Sequence, residues 1–313
     1  MSPEPGQVPR ARVERVEHTT LAAKAADGRL LMVSEWGKRT GVPVFVLHGT
    51  PGSRLGVAPR SSVLFRLGVR LIAYDRPGYG RSDRDRGRTV ASAAADLRAV
   101  AEQLGIDRFA VVGRSGGGPH ALACAALLPD LVTRAAAMVS LAPLAGPDGM
   151  GSAWYDGMTE GNVEAYTRAA GGIAVLAPEL DARSRSLRED PSLMISQLLK
   201  GAQAADQKVI SDSGIRRLLR DNYREAVRNS ADGWIDDALA FTRDWGFPLD
   251  RIRADVLLWH GDEDAFVPVG HSRWLHRRIP GSQLRVVPGK AHLDAVPALP
   301  DILTWLKGPG RVG

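Results

Sequence analysis

The chain of 313 residues holds one cysteine, Cys124, so no intrachain disulfide can form and the redox compartment stays open. Lysine is almost as scarce, standing only at positions 24, 38, 200, 208, 290 and 307. The formal charge of +6 and the pI of about 9.7 therefore rest on arginine. These arginines are scattered. The densest stretch, residues 76–88, is interrupted by Asp83 and Asp85 and has no aromatic-and-basic stacking motif, which argues against a nucleic-acid partner. An Arg-rich solvated surface is the expectation. No apolar run approaches the ~18 residues needed to span a bilayer. Residues 1–15 are rich in Pro and Arg and lack the apolar core of a secretory signal. A cytoplasmic protein with no membrane partner is expected. Metal-ligand spacing and the phosphate-binding G-x-x-x-x-G-K are both missing, so no cofactor and no metal is expected. A small-molecule substrate is left as the partner, and the sequence does not indicate an oligomeric state.

What is present is an ordinary globular balance of 44% hydrophobic and 24% charged residues. The length suits one large domain with an insertion, or two ordinary domains. The first dozen residues read as a disordered lead-in. Residues 19–24 and 30–36 are strand candidates around the turn signal Asp27-Gly28. The apolar run 44–47 suits a strand buried on both faces. A short helix fits within 54–67 and a strand at 69–74. A helix is predicted from Thr89, a plausible N-cap, to about Leu104, ended by Gly105. A strand at 108–112, a helix at 115–128 and a strand at 134–141 continue the rhythm, which implies βαβ units and a sheet covered on both sides. From about 147 to 230 the sequence is polar and helical, with Tyr155, Tyr166, Tyr223, Met150, Met158 and Met194 supplying apolar faces. Strands at 254–259 and 283–287 and helices at 270–278 and 300–307 then resume the pattern. One α/β domain carrying a helical insertion is the simplest account, and no internal repeat is visible.

The strongest chemical signal is Gly113-Arg114-Ser115-Gly116-Gly117, set between an apolar strand and an Ala-rich helix. That context makes it a G-x-S-x-G nucleophile elbow. A strand-to-helix turn this tight strains the serine backbone, and side chains at the flanking positions would strike neighbouring backbone. The helix N-terminus behind Ser115 favours developing negative charge. A serine hydroxyl needs a base to take its proton and an acid to orient that base. After such an elbow the chain order is acid, then histidine. His292, in the loop Pro288-Gly289-Lys290-Ala291-His292 after a strand, is the candidate base. His48 and His260 each end a buried strand, His120 sits one turn into the elbow helix, His271 and His276 fall on a helix, and His18 lies near the N-terminus. Asp262, Glu263 and Asp264 all offer a carboxylate after the 254–259 strand, and spacing does not decide among them. Asp262 also suits a turn residue that hydrogen-bonds local backbone.

The whole set resembles the α/β-hydrolase fold superfamily. It comprises His48-Gly49-Thr50-Pro51-Gly52-Ser53, Asp75-Arg76-Pro77-Gly78-Tyr79-Gly80-Arg81-Ser82, the elbow, His260-Gly261-x-x-Asp264-x-x-Val267-Pro268 and Gly289-x-x-His292. The resemblance spans about residues 29–145 and 233–307, with every motif in the expected order. It implies a mostly parallel central sheet covered by helices on both faces, with a helical cap insertion. Residues 1–28 would be the lead-in and first strand, 29–145 and 233–313 the α/β-hydrolase core, and 146–232 the cap. The resemblance also implies that Asp264 is the triad acid, with Asp262 second. It further implies that the backbone N–H groups of Thr50 and Gly116 form an oxyanion hole; Pro51 has no N–H to give. Asp75 and Arg76 are expected to support the scaffold. Arg114 could touch a substrate carboxylate, but a surface-facing elbow residue is the reading taken. Cys124 reads as a small buried apolar residue.

The expected chemistry is hydrolysis of an ester-like bond through an acyl-enzyme on Ser115. Thioester, lactone, amide and carbon–carbon hydrolysis use the same triad and remain as alternatives. Haloalkane dehalogenases and epoxide hydrolases have an aspartate where Ser115 stands. Proline iminopeptidases share the His-Gly-x-Pro-Gly start but typically place Trp where this chain has Gly116. Outside hydrolysis, a ligand-binding role or a biosynthetic tailoring role stays open, since a fold does not guarantee a function.

Overall fold

The computed structural model describes residues 19–56 and 59–308. The expectations for the lead-in and for His18 lie outside the described residues. The chain opens with β1 (Thr19–Lys24) and β2 (Leu30–Gly37), then β3 (Val42–Leu47), α1 (Ser61–Leu67), β4 (Val69–Tyr74), α2 (Ala93–Gln103), β5 (Phe109–Arg114), α3 (Gly117–Leu127) and β6 (Val132–Met138). A run of helices follows: α4 (Glu160–Ala170), α5 (Ile173–Glu189), α6 (Ser192–Gly201), α7 (Ala204–Ser211), α8 (Ser213–Ala226) and α9 (Asp232–Phe241). Then come β7 (Asp255–Gly261), α10 (Gly270–Arg278), β8 (Gln283–Val287) and α11 (Ala295–Leu306). No described helix is long and apolar enough to cross a membrane.

The eight strands form one sheet in the order β1-β2-β4-β3-β5-β6-β7-β8. The β1–β2 and β2–β4 pairs are antiparallel and all others parallel. Side chains of successive strand residues point to opposite faces. Phe45, Leu47, Ile72, Tyr74 and Val111 thus pack under α2 and α3 on one face. Val44, Val46, Leu71, Ala73 and Val112 pack with Leu64 of α1 and Leu299, Ile302 and Leu303 of α11 on the other. Covering both faces is why the strands read as unbroken apolar runs instead of alternating ones. In α3 every residue from Gly117 to Ala126 is buried, Cys124 included. Burial pushes the Cys124 thiol well above its ordinary range.

Strand order reverses at β3. The helix after β3 goes to one face and the helix after β5 to the other, so their loops diverge at the carboxyl edge of the sheet. A crevice opens at such a switch point, and both the His48-Gly49-Thr50 loop and the elbow stand there. The helices α4 to α8 build a third apolar cluster with α9, Tyr79 and Leu293.

Three local details depart from the sequence expectations. A 3₁₀ turn (Val90–Ser92) precedes α2, and Ser92 Oγ accepts the Thr89 N–H at 3.1 Å, so the α-helix proper begins at Ala93. α11 starts at Ala295, before the expected residue 300. Pro297 falls in its first turn, where a missing N–H costs nothing. α9 was not anticipated as a helix.

The larger departure lies in the 76–88 stretch, where a solvated arginine surface was expected beyond the scaffold residue Arg76; Arg81 and Arg86 are exposed, but Arg88 is not. Arg76 and Arg88 are buried. Both reach the carboxylate of Asp237 on α9: Arg76 Nη2 at 2.5 Å and Arg88 Nη2 at 2.7 Å. Tyr79 Oη donates to the same carboxylate at 2.9 Å, and Thr50 Oγ1 at 2.5 Å. Arg84 pairs with Asp232 and Asp236 on the same helix. Local sequence cannot disclose an acid that lies some 150 positions downstream.

Burial alone would raise the Asp237 carboxyl, but Arg76 and Arg88 outweigh it and hold it well below the ordinary range. Asp237→Asn strands two buried guanidinium groups and should cost about 3–5 kcal/mol of stability at neutral pH, read by denaturant unfolding. Because the folded value is depressed, the contribution is present above the unfolded value and lost as pH falls through the folded one. The gap between wild type and variant should therefore be flat down to about pH 5 and narrow below about pH 4.

Candidate active site

The elbow turn leaves β5 at Arg114 and enters α3 at Gly117. Between them Ser115 sits at φ +55°, a left-handed conformation costly for a residue with a Cβ. Neighbouring backbone holds it there: the Ser115 N–H donates to Met138 O at 2.9 Å, and Ser115 O accepts from the Gly118 N–H at 2.9 Å. The two motif glycines answer to crowding. A Cβ on Gly113 would stand 2.0 Å from Gly117 O, and one on Gly117 would stand 2.1 Å from Leu47 O. Ser115 alone is partly exposed in a run of buried residues from Phe109 to Ala126.

On one side of Ser115 lies the loop after β3. A Cβ placed on Gly116 would meet Thr50 Oγ1 at 2.3 Å, so Thr50 stands directly against the residue after the serine. Among the described residues, neither the Thr50 nor the Gly116 backbone N–H donates a hydrogen bond. The loop is anchored from below. His48 Nε2 accepts the Arg76 N–H at 3.1 Å, which leaves its Nδ1–H to donate to Gly49 O at 2.8 Å. Arg76 also donates to His48 O, Gly49 O and Thr50 Oγ1. Arg76 thus supports the scaffold, as expected. Asp75 does too: it accepts from the Arg54 backbone and guanidinium. Burial lifts its carboxyl to about 6 against the pull of Arg54.

On the other side stand the loops after β7 and β8. His292 Nδ1 lies 2.8 Å from Asp264 Oδ2. The Asp264 carboxylate is saturated. Its Oδ1 accepts the Phe266 and Val267 N–H groups, each at 2.9 Å, and its Oδ2 takes His292 and, at 3.3 Å, His260 Nε2. Burial alone would raise this carboxyl, but the His292 charge and the His260 and His292 hydrogen bonds drive it below the ordinary carboxylate range. An ionised Asp264 can only accept, so His292 Nδ1 carries a proton, and in the neutral imidazole Nε2 is the acceptor nitrogen. Asp262 does something else: it is exposed, and its Oδ1 accepts the Gly289 N–H at 2.8 Å, tying the two loops together.

The structure thus brings His292 to Asp264, and Thr50 to Gly116 and Ser115. No hydrogen bond joins Ser115 Oγ to His292 among the described residues. Thr50 of the one group and Phe266, the neighbour of His292, border a cavity of about 520 Å³. Its walls include Thr50 and Pro51 from the core, and Leu180, Met194 and Tyr223 from the helical run. Phe266 closes another side, its ring 5.5 Å from that of His292.

The other histidines have structural partners. His260 donates from Nε2 to Val267 O at 2.6 Å, and its Nδ1 faces Ser272 Oγ at 2.7 Å. His120 is buried against Asp237, and His271 against Ala142 and Trp154. Burial depresses His120 to about 4 and His271 to about 3.

One expectation is corrected. Arg114 does not face the surface: it is 8% exposed, because at the end of β5 its side chain shares the α1/α11 face with Val112. Two acids went unremarked in the sequence, Asp237 and Asp206. Asp206 on α7 is buried, and its Oδ1 accepts the Leu293 N–H at 2.6 Å, beside His292. Neither sits in a motif, and no local signal marks them.

The comparisons with known proteins agree with this architecture. The alpha/beta hydrolase fold family matches residues 42–297. A non-heme chloroperoxidase of Streptomyces lividans is 33% identical over 78% of this chain and 82% of its own. A bifunctional esterase/perhydrolase of Acinetobacter calcoaceticus is 26% identical over 77% of this chain and 81% of its own. Among solved structures, an enol-lactonase from Burkholderia xenovorans LB400 superposes with a TM-score of 0.68 at 18% identity, covering 91% of this chain and 99% of that one. Sequence family and fold therefore coincide, and the chain belongs to the α/β-hydrolase fold family, as a hydrolase with a serine at the elbow.

Proposed function

We propose that the protein is a cytoplasmic serine hydrolase that cleaves an ester-like bond of a small molecule through an acyl-enzyme on Ser115. The observation that carries this reading is a strained, partly exposed serine at the elbow of a fold that also holds, on the loops after β7 and β8, a histidine bound through Nδ1 to a saturated aspartate. His292 Nε2 takes the Ser115 proton as Oγ attacks the acyl carbon. The oxyanion forms against the Thr50 and Gly116 N–H groups, each worth on the order of 3 kcal/mol. The tetrahedral intermediate collapses as His292 returns the proton to the leaving group. A water deprotonated by the same nitrogen then releases the acid and frees Ser115. Thioester, lactone, amide and carbon–carbon hydrolysis would use the same steps with a different leaving group.

Residues 146–232 act in this reading as a cap. Leu180, Met194 and Tyr223 from this segment face Thr50 and Pro51 across the cavity, which would set acyl size and shield the acyl-enzyme from bulk water.

Ser115 should label covalently with a fluorophosphonate, and Ser115→Ala or His292→Ala should abolish labelling. A folded wild type that neither labels nor consumes any ester, thioester or lactone in a broad panel would be a binding protein instead. Asp264→Asn should lower kcat on the order of 10³–10⁴-fold, because the imidazole loses the partner that holds its tautomer. Asp262→Asn should cost far less; the reverse order would make Asp262 the acid. Leu180→Trp or Met194→Trp should shift preference among p-nitrophenyl esters toward shorter acyl chains. Unchanged selectivity would remove the cap from substrate choice.

A further inference from the structure

Arg114 is the one residue beside the nucleophile that the mechanism does not use. Its side chain is 8% exposed, yet among the described residues its guanidinium makes no hydrogen bond and no ion pair, and its buried Nε has no partner. Arg54 and Arg88 also leave Nε unpartnered, but Arg54, Arg76 and Arg88 each meet a carboxylate through another guanidinium nitrogen, and Arg114 meets none. A buried cation without a partner costs several kcal/mol unless something arrives to satisfy it.

Its position says what would arrive. A Cβ built on Gly49 would lie 3.4 Å from Arg114 Nη2 and 3.5 Å from Ser115 Cβ. The guanidinium and the nucleophile's side chain thus both flank the space beside the Gly49 Cα, and the next residue is Thr50, at the cavity wall. The charged and titratable groups within electrostatic reach are Tyr223, Asp206 and Asp264. Asp264 is saturated by His292, His260 and two backbone N–H groups. Asp206 spends Oδ1 on the Leu293 N–H, and its Oδ2 is unpartnered. Tyr223 lines the cavity. None of the three satisfies the five N–H donors of Arg114.

We infer that Arg114 binds a carboxylate of the substrate, so that the enzyme acts on acyl compounds carrying an acidic group a short spacer from the scissile bond. A guanidinium fork matches a carboxylate in two parallel hydrogen bonds. The nearby Asp206 and Asp264 favour a singly charged carboxylate over a doubly charged phosphate, since each added negative charge meets theirs. The inference rests on the hydrolase reading for the reaction, though not for the binding.

The test compares monoethyl glutarate with ethyl pentanoate by pH-stat, with ethyl 3-phosphonopropanoate as the phosphate-type arm. Wild type should favour the half-ester at least 10-fold in kcat/KM, carried by KM, and should favour it over the phosphonate ester. In Arg114→Gln that ratio should fall to about one. Arg114→Lys should fall between, keeping the charge without the fork. Glutarate should raise the Tm of wild type but not of Arg114→Gln. The ligand-free glutamine variant should melt no lower than wild type, because it sheds an unpaired buried charge. A wild-type ratio near one with no glutarate shift overturns the proposal. A preference that survives in Arg114→Gln, or a variant that melts lower and keeps its glutarate shift, makes Arg114 a structural brace toward Asp206 or Tyr223. Fluorophosphonate labelling separates the two readings: a labelled enzyme without carboxylate preference loses only this inference. An unlabelled one loses the hydrolase, and the glutarate shift still decides the binding.

Discussion

The carboxylate of Asp237 is the point on which the site's geometry depends. It collects Arg76, Arg88, Tyr79, Thr50 and His120 in a region sealed from water. The two guanidinium groups share this single buried acid, and the His48, Gly49 and Gly233 carbonyls accept further donors from them, which makes the cluster tolerable at low dielectric. Its consequence is positional. Arg76, fixed by Asp237, holds the carbonyls of His48 and Gly49, and Asp237 itself takes the Thr50 hydroxyl. The β3 loop is thereby held from beneath, with the Thr50 N–H left free to face the crevice.

Two further constraints converge on the same spot. The reversal of strand order at β3 sends neighbouring helices to opposite faces and opens the crevice, with no contribution from side-chain chemistry. The elbow then places strained backbone at its floor. Ser115 holds φ +55° because Gly113 and Gly117 allow the chain to close within a few ångströms of itself. The strain is stored by a sheet and helix that are otherwise fully packed, the usual circumstance in which such a conformation persists.

Charges around the cavity are treated in two ways. Asp237 and Asp264 are saturated with donors and belong to the scaffold and the proposed triad. Arg114 and Asp206 are buried but incompletely satisfied. A fold that ties Arg54, Arg76 and Arg88 to carboxylates leaves Arg114, next to the nucleophile, without one.

Much of this was legible from local sequence. The elbow, the alternation of strands and helices and the helical run after residue 146 are all signalled within a few residues by steric need: glycine at close approaches, apolar runs in strands covered twice. The backbone menu is small, so such signals are strong. The choice between Asp262 and Asp264 was not local. Two carboxylates two residues apart point to different sides of a turn, and only the packed loops bring Asp264 to His292 while Asp262 holds Gly289. Arg114 was misread as exposed, and Arg88 as part of a solvated arginine face, for the same reason. A charge reads as surface until its partner is seen, and Asp237 lies far along the chain, in a helix with no motif of its own. Sequence determined which chemistry the elbow can support; tertiary packing decided which charges are neutralised and which wait for a ligand, because electrostatic pairing depends on distance in space.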